Sequence, residues 1–208
     1  MNIPQGRKIR VAFTLAADAQ VIDVAGPWEV FQDVRIEGEC PFELYTVGAT
    51  IDLVLMSGGM QTVPNYGVGN APQPDIIISP AHSNCPAINR WLQLVSADTA
   101  ILASVCTGVN HLAEAGLLDG LTVTTYHSWF DGFIEKFPGI KVHRHQRFID
   151  QGHVITAGGM TACIDMSLHI VKRYFGYEVA ENTAKLLEYE GHGWQQSSAL
   201  KRSLLEPV

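Results

Sequence analysis

The run Ala100-Ile101-Leu102-Ala103-Ser104-Val105-Cys106-Thr107-Gly108-Val109-Asn110-His111-Leu112-Ala113-Glu114-Ala115-Gly116 decides the fold. It begins as a short apolar stretch of the kind buried on both faces of a parallel sheet. It turns at Cys106-Thr107-Gly108 and continues as a small-residue helix that stops at Gly116. Strand, sharp turn and helix make a nucleophile elbow, which lifts one side chain off the sheet rim and aims backbone N–H groups beside it. The lifted residue is Cys106, and a helix N-terminus favours the reactive thiolate. The competing reading is that Cys106 only fills space, as free cysteines in apolar strands commonly do. The Thr-Gly that follows and the abrupt change of period argue for the elbow.

The rest of the chain fits one domain, 1–208, of 208 residues with a full core. A hydrophobic fraction of 47% with 17% charged residues belongs to a soluble globular protein. The net charge of −7 and the lack of any Lys/Arg cluster beyond Arg7-Lys8-Ile9-Arg10 argue against a nucleic-acid partner. No signal peptide or membrane span is evident, so no membrane partner is expected. Cys40, Cys85, Cys106 and Cys163 lack metal-type spacing, which points to a cytoplasmic protein with reduced thiols.

Strands are expected at Ile9–Leu15, Phe42–Val47, Asp75–Ser79, Ala100–Val105 and Leu121–Thr125, with three short ones at Ile140–His143, Gln146–Ile149 and His153–Thr156. Asp52–Leu55 and Gln61–Pro64 form a hairpin around Gly58-Gly59, and Asn65–Pro74 is loop. Its Gly67-Val68-Gly69 lacks the strand and helix that a phosphate loop needs. Helices are expected within Ile22–Phe31, with Pro27 in the first turn and Trp28, Phe31 and Val34 at helical spacing, and at Asn84–Val95, Ser128–Phe137, Thr161–Phe175 and Tyr177–Glu188. The remainder, Gly191–Val208, is weakly patterned and suited to packing on the surface or a partner.

Alternating strands and helices specify a parallel sheet covered on both faces. Ligands then bind beyond the carboxyl ends of the strands. Those ends bring together Asp23, Pro80-Ala81-His82, Cys106-Thr107, Tyr126-His127 and Gly158-Gly159. The N–H groups of Thr107 and Ala81 suit an oxyanion-type site. Asp23 caps the first helix by default, compatibly with accepting a hydrogen bond from the thiol or holding and activating a water. His127 is the natural partner of the thiol, with His82 second, although a histidine at a strand end is commonly just a satisfied polar residue. His111 falls on another face of its helix and receives no role. His143 and His145, with His153, have metal-like spacing but no completing ligand, so no metal is expected.

These residues resemble the ThiJ/PfpI family of the class I glutamine amidotransferase-like superfamily. The resemblance is carried by Val105-Cys106-Thr107-Gly108, Leu112–Gly120, Thr124-Thr125-Tyr126-His127, Asp23–Phe31 and Thr156–Ala162. It implies a flavodoxin-like three-layer sandwich, a homodimer and a reactive elbow cysteine. Within the family, Asp-x-x-Gly-Pro together with Cys-Thr-Gly looks most like the isonitrile hydratases. These add water to an isonitrile to give an N-substituted formamide, without metal or cofactor. The resemblance makes Cys106 the nucleophile, Asp23 the residue that positions water and moves protons, and Thr107 the residue that completes the site. Ala81, His82, Tyr126, His127 and Gly159 become substrate-binding residues.

The same motifs occur in the sensory half of AraC-type regulators. The chain ends soon after its last helix, from which a stand-alone role is expected. Departures from the family pattern are Pro80-Ala81-His82 in place of Gly-Gly, and Tyr126-His127 in place of Thr-His-Trp. Asp23 stands where glyoxalase- and deglycase-like members usually carry Glu, and the late His-x-Glu of amidotransferases is missing. Both of those activities are therefore disfavoured. Beside a cysteine-dependent hydratase stand two rivals: a redox sensor with an oxidisable, low-pKa Cys106, and a non-catalytic ligand-binding module.

Overall fold

The computed structural model describes residue 1 and residues 3–195. In chain order the elements are β1 (Ile9–Thr14), α1 (Val21–Gln32), β2 (Phe42–Gly48), β3 (Val54–Leu55), β4 (Gln61–Thr62), β5 (Tyr66–Gly67), β6 (Ile76–Ser79), α2 (Pro86–Val95) and β7 (Ile101–Val105). After these come α3 (Val109–Glu114), β8 (Thr122–Val123), α4 (Phe130–Lys136), β9 (Lys141–Val142), β10 (Phe148–Asp150), β11 (Val154–Ala157), α5 (Ala162–Phe175) and α6 (Tyr177–Leu186).

The central sheet has the order β10-β11-β7-β6-β1-β2-β5. All its neighbours run parallel except the β10–β11 pair. Its strands alternate between two buried faces, as the two-residue period requires. Ile9, Val11 and Phe13 of β1, Ile76 and Ile78 of β6, and Ile101, Ala103 and Val105 of β7 pack on one side with α1, α5 and α6. Ala12, Ile77 and Leu102 pack on the other with α2, α3 and α4. The result is the flavodoxin-like three-layer sandwich, with the elbow following β7, an inner strand held between β11 and β6.

Four local expectations differ from the structure. Helix α1 starts at Val21, so Pro27 is its seventh residue rather than part of the first turn. Its ring removes the N–H that would have reached the carbonyl of Asp23. Tyr66–Gly67, read as loop, adds a parallel edge strand to β2. Leu121–Thr125 leaves the central sheet: β8 pairs only with β9, in a separate two-stranded sheet. Ser128–Phe137 begins as a 3₁₀ turn, His127–Trp129, before α4.

Within 191–208, the described part is a 3₁₀ turn at Gly193–Gln195 with Trp194 buried; the expectation for 196–208 lies outside the described residues. Among the described residues no helix is long and apolar enough to cross a membrane.

Candidate active site at the Cys106 elbow

Cys106 has φ +58°, the left-handed region that a residue with a Cβ rarely enters. Hydrogen bonds hold it there from both sides. Its N–H donates to Gly158 O at 3.0 Å, and its carbonyl accepts from Thr125 Oγ1 at 2.8 Å. Gly108 closes the turn: a Cβ there would lie 2.1 Å from Ser79 O and 2.7 Å from Pro80 O. The Thr-Gly after the cysteine is thus a steric demand, since only glycine lets the elbow seat against the end of β6.

The thiol is 7% exposed. Burial pushes it up to about 11, and the charge of Asp23 pushes the same way. The N–H and hydroxyl of Thr107 and the N–H of Met160 oppose the rise but do not overcome it. The thiolate expected at a helix start is therefore corrected to a protonated thiol at neutral pH. The helix that follows is only Val109–Glu114, and a buried site offers the anion little solvation. Both ring nitrogens of His82 are taken by Thr14 and Ser83, so it is not the thiol's partner, and among the described residues no hydrogen bond joins His127 to the sulfur.

Asp23, the third residue of α1, is 0% exposed. It does not cap the helix; the cap position is Gln20. Its Oδ2 accepts the N–H of Ala81 at 3.2 Å, and its Oδ1 has no hydrogen-bond partner. Burial raises its carboxyl to about 6, with the Ala81 bond pulling slightly down. An acid titrating there is set to give or take a proton near neutrality. Because the Ala81 N–H is spent on Asp23, Ala81 is corrected from oxyanion donor to a support for the carboxyl.

His82 is also held by protein groups. Its Nδ1 donates to Ser83 O at 2.8 Å, leaving Nε2 to accept from Thr14 Oγ1 at 3.2 Å. Its ring stacks on His111, centroids 3.8 Å apart and planes 14° apart. Burial lowers His82 to about 4 and His111 to about 3, so both are neutral. This pair braces the Pro80-Ala81-His82 loop against α3, a part that sequence reasoning missed for His111. Two histidines 29 positions apart carry no spacing signal.

A cavity of about 360 Å³ lies next to the elbow, with Thr125, Tyr126, His127, Gly158, Gly159 and Met160 in its walls; Cys106, Thr107, Asp23, Ala81 and His82 are not among its lining residues. Through Thr125, Gly158 and Met160 these walls include the backbone and hydroxyl partners of Cys106. Tyr126, His127 and Gly159 are together as expected. Gly159 is required, since a Cβ would meet the Tyr126 ring at 2.4 Å. Arg147 and His145 also line the cavity; the sequence alone puts the first in a strand and offers the second only as a metal ligand. His143 bonds Arg144 O and His153 bonds Ala100 O. Among the described residues no three His, Cys, Asp or Glu side chains gather as a metal site. All four cysteines are free thiols.

A parallel sheet wrapped on both faces, with a strained cysteine at its rim and a buried carboxyl behind it, defines an α/β protein of the flavodoxin-like, cysteine-elbow class. More particularly, residues 9–173 match the DJ-1/PfpI family, and the chain belongs to it. It is 28% identical over 194 residues to the HTH-type transcriptional regulator GbdR of Pseudomonas aeruginosa, covering 90% of this chain and 53% of the regulator. It is 26% identical over 187 residues to the isonitrile hydratase of Pseudomonas putida, covering 87% of this chain and 78% of the enzyme. The crystal structure of a THiJ/PfpI family protein from Pseudomonas syringae superposes with a TM-score of 0.79 at 23% identity, over 91% of this chain and 78% of that one.

The chain thus spans about half the length of the regulator it matches. This overturns the exclusion of a nucleic-acid partner. Net charge and the lack of a basic cluster describe only the stretch held in common with such regulators, and they do not exclude nucleic acid for a chain with these relatives. The stand-alone expectation, drawn from where the chain stops, loses its basis for the same reason.

Proposed function

We propose that this chain is a cysteine-dependent small-molecule enzyme of the isonitrile hydratase kind, with Cys106 and Asp23 as its reacting pair. The observation that carries the reading is Asp23: fully buried, titrating near 6, with Oδ1 unpartnered and its charge felt by the Cys106 thiol. A protonated thiol beside a carboxylate suits addition to an isonitrile carbon. The S–C bond forms as Asp23 takes the thiol proton and returns it to the carbon, giving a thioimidate. Water, deprotonated by Asp23, then attacks that carbon. Asp23 passes that water proton to the nitrogen; the C–S bond then breaks as the remaining hydroxyl proton moves through Asp23 to the sulfur, and an N-substituted formamide leaves. Thr107, whose N–H and hydroxyl reach the sulfur, steadies it at both stages. The sum is one isonitrile plus one water to one formamide, and the thiol is regenerated.

Similarity to the Pseudomonas putida enzyme across most of both chains supports this reading. A second reading, a ligand-binding module without turnover, is favoured by the high thiol and by the Ala81 N–H being occupied. A redox sensor is disfavoured, because oxidation follows thiolate character and this thiol has little.

The test is incubation with an aliphatic isonitrile and mass-spectrometric detection of the formamide. Turnover abolished in Cys106→Ala and reduced at least about 100-fold in Asp23→Asn supports the hydratase. Stoichiometric binding with no formamide supports the module instead.

A further inference from the structure

The cavity beside the elbow carries a charge signature that the hydration chemistry does not use. Overall the chain is acidic, with 21 Asp and Glu against 14 Lys and Arg. Yet among the described residues lining the cavity none is Asp or Glu, while His127, His145 and Arg147 all face it. His127 and His145 are exposed, so their ring N–H groups need no protein acceptor. His145 has φ +65°, a left-handed conformation that costs energy for a residue with a Cβ.

Arg147 is fixed from behind. Its Nε donates to Asp165 Oδ2 at 2.6 Å, and Nη2 makes an ion pair with the same oxygen. Asp165 is 1% exposed and also accepts from Tyr189 Oη at 3.0 Å and Trp194 N at 2.9 Å. The carboxylate therefore anchors the guanidinium without itself facing the cavity. Nη1 makes one long contact, 3.3 Å to Thr161 Oγ1, and it carries two hydrogens. One N–H thus remains for a ligand, with 40% of the Arg147 side chain exposed. The apolar surfaces of Tyr126 and Met160 also line the cavity.

We propose that this cavity selects a small ligand bearing a carboxylate. The acid group sits among Arg147, His127 and His145, and a short apolar body lies along Tyr126 and Met160, which bounds the elbow. Resting on the hydratase reading, this makes the substrate an isonitrile whose substituent ends in a carboxylate. The anion preference itself rests on the cavity alone. Its chemistry is that of a half-exposed, pre-anchored guanidinium, where a planar acid is held by directed N–H bonds as well as by charge.

The test compares three probes of equal size, butanoate, butanamide and butylammonium, by titration calorimetry on the full chain. Butanoate is expected to bind at least tenfold more tightly than butanamide, and butylammonium more weakly than either. The ratio should shrink as salt is raised from about 20 to about 300 mM, in the manner of partly exposed charge pairs. The double variant His127→Gln/His145→Gln changes exposed side chains only, and it should cut the ratio below about threefold, as should Arg147→Gln. Should Arg147→Gln unfold for want of the Asp165 pair, the histidine variant alone decides.

Equal affinity for acid and amide, a preference unchanged in the histidine variant, or no binding of any probe would overturn the proposal. Isonitrile turnover is scored separately. Loss of hydration with the acid preference intact removes the hydratase reading only. Hydration of neutral isonitriles with no gain for isocyano acids removes this inference only.

Discussion

Replacing Asp23 by Asn removes one buried acid and should change how stability depends on pH in a calculable way. Asp23 titrates at about 6 in the folded chain against 3.8 when free. Below pH 3.8 both states hold the proton and the residue is neutral to stability. As pH rises, the unfolded chain releases its proton first, so folding is progressively disfavoured until about pH 6, above which the penalty is constant. The gap between 3.8 and about 6, at about 1.36 kcal/mol for each pH unit, makes a full penalty of about 3 kcal/mol, most of which develops between pH 4 and 7.5.

An amide in its place has packing and hydrogen-bond costs of its own, but these do not vary with pH. Urea unfolding of both proteins at pH 4, 5, 6, 7 and 7.5 isolates the effect. The stability of the variant minus that of the parent should climb by about 2 kcal/mol across the series, steepest between pH 4 and 6. A difference that stays flat within about 0.5 kcal/mol would show that the carboxyl is hydrated in solution, and the proton route assigned to it would go with it.

The other predictions concern the elbow and its supports. With its thiol near 11, Cys106 should alkylate at pH 8 about 100-fold more slowly than an ordinary thiol, with a rate still rising above pH 9; Asp23→Asn should accelerate it, as followed by peptide mass spectrometry. Gly108→Ala drives a Cβ into Ser79 O and should cost at least about 3 kcal/mol in urea unfolding, because the obstacle is backbone. His111, 3% exposed, stays neutral to about pH 3, whereas an unfolded histidine protonates below about 6.5. Its contribution is present above pH 6.5 and lost on acidification. By pH 5 the parent should lose about 2 kcal/mol that His111→Leu keeps, judged by the pH dependence of the difference between them. Asp165→Asn weakens the grip on Arg147, Tyr189 and Trp194 at once; a loss of about 2 kcal/mol and new protease sensitivity after Leu186 are expected.

Much of this molecule is legible in the order of its residues, for reasons that can be named. The β-branched run at 76–79 and the apolar run at 101–105 are buried on both faces, so nothing but continuous hydrophobicity fits, and that pattern is visible without coordinates. The elbow is legible because Gly108 is sterically obligatory beside Ser79. Strand Tyr66–Gly67 is not, because two residues at a sheet edge need only backbone partners. Nor is the departure of 121–125 from the main sheet, since pairing with Lys141–Val142 and joining β11 demand the same apolar residues. The start of α1 is hidden because proline is more familiar in a first turn than at a seventh position.

In the site, residue types are readable and their allegiances are not. Ala81 N–H turns to Asp23, and His82 turns to Thr14 and His111, because partners 58, 68 and 29 positions away are set by the sheet order. Arg147 escapes notice because its anchor, Asp165, lies on a helix 18 residues further on.

The left-handed backbone at Cys106 bears on how this sequence can drift. Glycine would occupy φ +58° without strain, and a search for foldability alone would find it there. A sulfur kept at that position opposes the direction in which thermodynamic selection pushes, so variant libraries screened only for heat resistance should enrich Cys106→Gly. The same libraries screened for chemistry at the cavity should retain cysteine, and the gap between the two outcomes would measure how much stability the chain gives up to hold a thiol in place.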